Sequence, residues 1–187
     1  MRQRVIDWLN QNMPPERVKH ILGVEEMCIQ LAKRHGVDVY QAATAGLLHD
    51  LAKFFPPQRL LQMARGNGIE LDEITSSHPH LLHAEVSAIV AKQEFGVDNE
   101  EILEAIGNHT LGRPQMSKLS CIVFIADKLE KSRGDTPQLN HMRQVSYEDL
   151  MRGLRMVCDY SICDLLQRCK VIHPRTILTR NWTLSHH

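Results

Sequence analysis

A histidine-aspartate pair, His49 and Asp50, lies within the run of small and apolar residues from Ala42 to Lys53. Positions 42, 45, 46, 49, 50 and 53 follow α-helical spacing, so we expect them to share one side of a helix. Small residues on that side would let another backbone or a ligand approach closely. An imidazole, a carboxylate and an ammonium meet at its end, and a core built only for stability has no reason to collect them. We interpret this surface as the floor of a site.

Two further polar residues are predicted to point into the core. His20 is in register with the apolar residues of its helix, and Asp127 lies in a very apolar segment, where a carboxylate is costly unless a cation compensates it. Singly, such a residue is more often a hydrogen-bonded core residue than a ligand, but the joint pattern favours a metal site. Two histidines and two aspartates suit a divalent ion of iron, manganese, zinc or cobalt, with positions left for water and a phosphate oxygen. The predicted ligands are His20, His49, Asp50 and Asp127.

Candidate phosphate-binding residues lie near these ligands in the sequence. Arginine and lysine charges suit phosphate oxygens, and histidine titrates near neutral pH, so it can donate a proton to a leaving oxygen. The candidates are Lys53, His83, His109, Arg113 and Arg133. For an isolated basic residue a solvated surface charge is the commoner outcome, so the prediction depends on their convergence. No role is predicted for the remaining internal histidines, His35, His78, His80, His141 and His173.

The composition restricts the class of protein. A chain of 187 residues with a formal net charge of zero favours one domain and disfavours binding to nucleic acid or a membrane surface through a bulk basic field. No apolar run has the length of a signal peptide or a membrane span, so a cytoplasmic protein is expected. The five cysteines form no C-x-x-C pair and are expected to be free thiols. The terminal His186 and His187 are treated as a tail and receive no role.

The elements that position these residues are predicted to be helices throughout, which indicates an all-α bundle with the metal site between helices. One helix is expected to start at Asp38 and to carry His49 and Asp50, ending at Phe54-Phe55-Pro56-Pro57. The polar span from Gly66 to Ser77 is expected to form a lid or rim. The other predicted helices are 2–10, 15–35, 58–65, 79–95, one capped by Asp98 and ending at 108–109, 120–130, one from Tyr147 to Cys169 capped by Ser146, and a final segment after His173-Pro174.

In this order, His20, His49-Asp50 and Asp127 resemble the H…HD…D signature of the HD superfamily of metal-dependent phosphohydrolases. The blocks His109-Thr110-Leu-Gly-Arg113-Pro-Gln-Met-Ser117 and Ala126-Asp127-Lys-Leu-Glu130-Lys-Ser-Arg133 further resemble the YqeK-type HD hydrolases, which cleave diadenosine tetraphosphate symmetrically. The resemblance covers residues 14–169 of a single domain spanning 1–187, with a C-terminal helical extension at 170–187. Where the family tends to have glycines after the histidine at position 83, this chain has Ala84 and Ser87.

The resemblance implies an all-α HD fold, a divalent metal expected to be iron, and hydrolysis of diadenosine tetraphosphate to two ADP. It places the metal on the four predicted ligands and assigns catalysis to Asp50, Lys53, His83 and His109. It implies that Lys53, His83, His109, Thr110, Arg113 and Arg133 contact the substrate. The expected small-molecule partner is a dinucleoside polyphosphate or ADP.

Two alternatives stay open at this point. The first keeps the metal and changes the substrate, giving another HD-type nucleotidase or a (p)ppGpp-type pyrophosphohydrolase. The second is a non-catalytic nucleotide-binding sensor, since a shared fold does not fix an activity. An amphipathic C-terminal helix is compatible with a homodimer, but the sequence leaves the oligomeric state and the metal identity open.

Overall fold

The computed structural model describes residues 1–185, and the terminal histidine pair lies outside the described residues. In this part of the chain the secondary structure is helical, without strands, as the sequence predicts. The α-helices are α1 (Arg2–Asn12), α2 (Pro15–His35), α3 (Val39–Leu48), α4 (Pro57–Gly66), α5 (Glu73–Ser77), α6 (His83–Phe95), α7 (Glu100–Asn108), α8 (Lys118–Leu129), α9 (Pro137–Glu148), α10 (Leu150–Gln167) and α11 (Pro174–Thr183). Single 3₁₀ turns cover Pro79–Leu82 and Lys131–Arg133. None of the helices within residues 1–185 is long and apolar enough to cross a membrane.

Helix α8 is the central helix of the bundle. It contacts α2, α3, α7, α9 and α10, and ten of its twelve residues are buried. Ile122, Phe124 and Ile125 are among the largest fully buried side chains. A helix covered on all sides needs apolar residues around its whole circumference, which explains a run that resembles a buried strand. Its burial places Asp127 deep inside the protein.

The small residues of α3 serve packing between helices rather than ligand binding. Ala42 and Ala45 are fully buried. A Cβ added at Gly46 would lie 3.0 Å from Cys28 Sγ and 3.1 Å from the Glu25 Cα of α2. Glycine therefore allows α2 and α3 to approach closely enough for side chains from both helices to reach one point.

The helix predicted to carry the histidine-aspartate pair ends earlier than expected. α3 ends at Leu48, and residues 49–54 form tight turns in which Lys53 N donates to Asp50 O at 2.9 Å. The backbone of this turn is also held from outside, because Ala52 N donates to the buried Ser87 Oγ of α6 at 3.0 Å. The pair lies on a buttressed turn and not on a regular helix surface.

Three other boundaries differ from the sequence prediction. The span predicted as a lid contains the short helix α5, whose N-terminus is capped by a capping box between Asp72 and Thr75. The N-cap of α7 is Asn99 and not Asp98. The helix predicted from residue 147 with Ser146 as its cap is wrong at its start. Ser146 lies inside α9, which Asp149 ends, and the Asp149 side chain caps α10 by accepting from Arg152 N.

Candidate metal centre

Five elements deliver the predicted ligands and their neighbours to one buried cluster. His20 comes from α2, His49 and Asp50 from the turn after α3, and Asp127 from α8. Each of these residues is at most 5 % exposed. The first residue of α6, His83, and the C-cap of α7, His109, reach the same cluster. The structure therefore brings the four predicted metal ligands together with two histidines that were predicted to act on the substrate.

Three of the imidazoles are oriented by carbonyls of their own helices. The Nδ1 atoms of His49, His83 and His109 each donate to the carbonyl three residues earlier, at 2.7, 2.6 and 2.8 Å respectively. A proton on Nδ1 leaves the Nε2 lone pair as an acceptor. This arrangement of a backbone carbonyl behind a histidine is the usual way in which a protein orients a metal ligand.

These lone pairs converge on the carboxylate of Asp50. Its Oδ1 lies 3.4 Å from His83 Nε2 and 3.6 Å from His109 Nε2, and its Oδ2 lies 3.4 Å from His49 Nε2 and 3.9 Å from His20 Nε2. Among the residues that the structure describes, His49 Nε2 and Asp50 Oδ1 are buried with no hydrogen-bond partner. Acceptors that face one another without a proton between them are unfavourable. A cation shared by these atoms satisfies them.

The donor atoms fall into two groups that share Asp50. One group contains His20 and His49 with this carboxylate, and the other contains His83 and His109 with it. In each group the candidate ligand atoms lie within 4.8 Å of one another. Asp127 Oδ1 adds a second carboxylate to the first group, at 3.1 Å from His20 Nε2 and 3.7 Å from His49 Nε2. Nitrogen and oxygen donors of this kind fit a divalent cation of intermediate softness.

Both carboxylates are anionic despite their burial. The Asp50 carboxylate has the guanidinium of Arg17 as an ionic partner. Burial favours the neutral form of Asp127, but Lys128 and His20 outweigh this effect and hold its pKa well below its usual range. Two buried anions side by side, one of which has an oxygen without a hydrogen-bond partner among the described residues, are a charge pattern that a divalent cation neutralises.

A further acid, Glu130, supports His20 from behind. Its Oε1 accepts from His20 Nδ1 at 2.8 Å, and its Oε2 accepts from Ser132 N at 2.7 Å. Burial opposes the charged form of His20, but its hydrogen bonds to Asp127 and Glu130 outweigh this effect and raise its pKa. No role was predicted for Glu130 from the sequence, although it follows the predicted ligand Asp127 by only three residues.

Burial lowers the pKa of His109 to about 3. Its imidazole is therefore neutral near neutral pH and is suited to be an acceptor or a metal ligand rather than a proton donor at Nε2. Burial also lowers the pKa of Lys53, whose Nζ donates to His83 Nε2 at 3.1 Å. The Thr110 hydroxyl lies 3.1 Å from the Nε2 atoms of both His83 and His109.

A cavity of about 810 Å³ opens onto the cluster. Basic side chains surround its inner end, namely Arg17, Lys53, Lys128 and Arg133. Arg17 Nη1 lies 3.0 Å from Asp50 Oδ2, and Arg133 Nη2 lies 2.7 Å from Asp127 Oδ1. The predicted phosphate contacts at Lys53 and Arg133 are thus at the cavity. Arg17 and Lys128 were missed, and no local sequence pattern distinguishes Arg17 from a surface arginine.

Arg113 is not brought to this cavity. Its Nη2 pairs with Glu104 Oε2 at 2.7 Å, and its side chain is 45 % exposed. Pro114 and Gln115 follow it in a turn in which Gln115 has a positive φ of 60°. The structure therefore places Arg113 in a surface ion pair.

Known proteins resemble this chain over the parts that carry the cluster. A family model described as HD domain matches residues 17–132, which contain every ligand candidate named above. The chain belongs to the HD domain family. A crystal structure titled as a predicted HD superfamily hydrolase involved in NAD metabolism, from Clostridium acetobutylicum, superposes with a TM-score of 0.95 at 34 % identity, covering 100 % of this chain and 98 % of that one.

Curated relatives of this HD-family chain match it over nearly its full length. The symmetrical bis(5'-nucleosyl)-tetraphosphatase of Bacillus subtilis is 32 % identical over 184 residues, with 98 % of each chain covered. The protein of the same name from Halalkalibacterium halodurans is 32 % identical over 183 residues, covering 98 % of this chain and 97 % of the relative. The one from Staphylococcus aureus is 30 % identical over 174 residues, covering 92 % of this chain and 89 % of the relative.

Proposed function

We propose that this chain is a divalent-metal-dependent phosphohydrolase that cleaves diadenosine tetraphosphate symmetrically to two ADP. The observation that carries the proposal is the set of imidazole lone pairs facing the buried Asp50 carboxylate beside a basic cavity. The names of the full-length relatives support the substrate and the symmetrical cleavage.

We propose His20, His49, Asp50 and Asp127 as ligands of one cation, and Asp50, His83 and His109 as ligands of a second. This extends the sequence-based assignment, in which His83 and His109 contacted the substrate and took part in catalysis but were not metal ligands. A divalent cation held there supplies a Lewis acid that activates water as a nucleophile and polarises a phosphoryl oxygen. The shared carboxylate and the carbonyl-held imidazoles keep the ligand atoms fixed before the substrate arrives.

The basic residues bind and orient the tetraphosphate. Lys53, Arg133 and the previously unassigned Arg17 and Lys128 line the inner cavity and are positioned to stabilise charge on the phosphate oxygens. Symmetrical cleavage requires water to attack one of the two central phosphorus atoms and the bond from that atom to the central bridging oxygen to break. The chain must therefore hold two phosphates on each side of the cleaved bond. Burial lowers the pKa of Lys53, so its ammonium group gives up a proton more readily than that of an exposed lysine, and we assign it as the proton donor to the leaving ADP.

The finer assignments belong to the same proposal. Iron is the proposed metal, with manganese, cobalt and zinc as substitutes that the same donors accept. A cytoplasmic location agrees with five free cysteines, of which Cys163 and Cys169 are exposed. A homodimer is proposed through α11, where Ile177, Leu178 and Leu184 expose apolar side chains. Elemental analysis of protein purified without chelators and light scattering at several concentrations test the metal and the dimer.

Product analysis with diadenosine tetraphosphate tests the activity. The proposal predicts ADP as the sole nucleotide product, whereas AMP with ATP would indicate asymmetric cleavage and contradict it. Faster turnover of a mononucleotide or of ppGpp would favour the other HD-type hydrolases. Tight ADP binding without turnover under any divalent metal would favour a sensor.

A further inference from the structure

Helix α11 lies behind the loop that carries Thr110. The buried Thr179 Oγ1 donates to Leu111 O at 3.1 Å, sharing its proton with Arg175 O at 2.7 Å. Arg175 Nε donates to Gly112 O at 3.1 Å. Two consecutive carbonyls of the loop are therefore held by side chains one turn apart on α11.

The loop of residues 110–112 packs tightly against α11. Gly112 has a φ of 67°, a conformation that side chains rarely adopt. A Cβ added there would lie 2.6 Å from Thr179 Cγ2, and Gly112 N is held by Asn108 O at 2.8 Å. A shift of α11 would therefore move the loop with it.

This loop begins with the residue that touches both histidines of the second ligand group. The Thr110 hydroxyl is 3.1 Å from His83 Nε2 and from His109 Nε2, and it is followed directly by Leu111 and Gly112. The position of that hydroxyl is consequently set by the carbonyls that α11 holds.

Arg175 also holds the start of α6. Its Nη1 lies 2.6 Å from Glu85 Oε1, and Glu85 is two residues after His83 in the first turn of that helix. The other carboxylate oxygen of Glu85 is buried with no hydrogen-bond partner among the described residues, so Arg175 supplies its charge compensation. A guanidinium is a rigid planar fork, and here it ties α6 to the loop after α7.

We propose that Arg175 and Thr179 are positioning residues that align His83 and His109 through the first turn of α6 and the loop of residues 110–112. Both residues lie outside the stretch 17–132 that matches the HD domain. The C-terminal helix then contributes to the geometry of the site, in addition to packing against the core. The kinetic consequence rests on the proposed function, whereas the consequence for metal binding does not.

Thr179→Val tests the proposal with almost no change in side-chain volume. It removes the hydroxyl that holds Leu111 O. We expect kcat to fall about fivefold with KM unchanged, and Mn²⁺ to bind about fivefold more weakly in calorimetric titration of the full chain. Thr183→Val is the matched control, because Thr183 is buried on the same helix and, among the described residues, its hydroxyl bonds only to Arg180 O. It should leave kcat and Mn²⁺ affinity unchanged.

Arg175 is tested in a pair with Glu85. Arg175→Ala alone would leave the partly buried Glu85 carboxylate unpaired and would destabilise the fold. The double variant Arg175→Met with Glu85→Gln removes both charges. If Arg175 acts only on stability, the double variant regains the thermal midpoint and kcat together. The proposal predicts that the midpoint recovers while kcat stays at least fivefold low.

The two proposals fail in different ways. If the unaltered chain does not hydrolyse diadenosine tetraphosphate, the proposed function is wrong, but two measurements on Thr179→Val still decide the role of α11. One is the Mn²⁺ titration, and the other is an NMR spectrum in which the side-chain signals of His83 and His109 should shift relative to the unaltered chain. Equal Mn²⁺ affinity and equal histidine shifts in Thr179→Val and Thr183→Val would overturn it.

Discussion

Asp50→Asn should abolish the stabilisation of the protein by divalent metal. Both ligand groups use this carboxylate, whose oxygens lie 3.4 to 3.9 Å from four imidazole nitrogens. The substitution keeps the size of the side chain and removes its charge, and its amide can donate to an imidazole lone pair. The metal-free variant should therefore stay folded, losing mainly the ion pair with Arg17.

The magnitude follows from mass action. A cation that binds only the folded chain stabilises it by about 2.7 kcal/mol when its concentration is 100 times the dissociation constant. For a chain of this length about 1 kcal/mol moves the melting temperature by roughly 2–4 °C. Mn²⁺ should therefore raise the melting temperature of the unaltered, metal-free chain by roughly 5–10 °C for one site, and that of Asp50→Asn by almost nothing.

The assay is thermal unfolding with and without Mn²⁺ after chelator treatment. Asp164→Asn serves as a matched control, since within residues 1–185 Asp164 pairs with Arg168 alone and is far more exposed, at 45 % for its side chain. It should keep the full metal-induced shift. An equal shift in Asp50→Asn would refute the assignment of this carboxylate as the shared ligand.

Three further changes test other parts of the site. Glu130→Gln should weaken metal binding by about 10- to 100-fold in a competition titration, because it loses the charge behind His20; unchanged affinity would contradict this. Arg133→Ala should raise KM for diadenosine tetraphosphate by at least about tenfold through loss of a charged phosphate contact, and a change confined to kcat would argue against that contact. In the folded, metal-free chain burial lowers the pKa of His109 to about 3, whereas the unfolded chain binds this proton near pH 6.5. The contribution of His109 to the free energy of unfolding therefore rises as pH increases between these two values. The difference in unfolding free energy between the unaltered chain and His109→Gln should grow over this interval, and a constant difference would contradict the depressed pKa.

The convergence of the four proposed ligands was predictable from the sequence because each lies in a strongly patterned segment. His20 and Asp127 interrupt apolar faces of long helices, and the periodicity that places such residues inside is independent of the tertiary contacts. The helix start at Asp38 was likewise visible, and its side chain accepts the backbone N–H of Gln41.

Helix ends were less predictable where tertiary contacts decide them. The end of α3 at Leu48 follows from tight turns and from Ser87 on a distant helix, which leave no trace in helical spacing. The start of α9 was readable, since Thr136 precedes Pro137 at the first helical position. The sequence prediction nevertheless left residues 137–146 outside any helix.

Residues that act across the fold could not be read from local sequence. Arg17 reaches Asp50 only because α2 crosses the turn after α3, and Arg113 turns away to Glu104. His173, which received no predicted role, pairs with Asp72 at 2.7 Å and joins the start of α11 to α5. The partners of Arg17 and His173 are distant in the chain, and the direction of the Arg113 side chain depends on Glu104 of the preceding helix.

The most direct test of the account is an anomalous difference map from crystals of the full chain grown with Mn²⁺. The account predicts Mn²⁺ within about 2.0–2.3 Å of the Asp50 carboxylate, ligated by His20 and His49 on one side and by His83 and His109 on the other. Mn²⁺ peaks elsewhere in the protein, with none at Asp50, would contradict it.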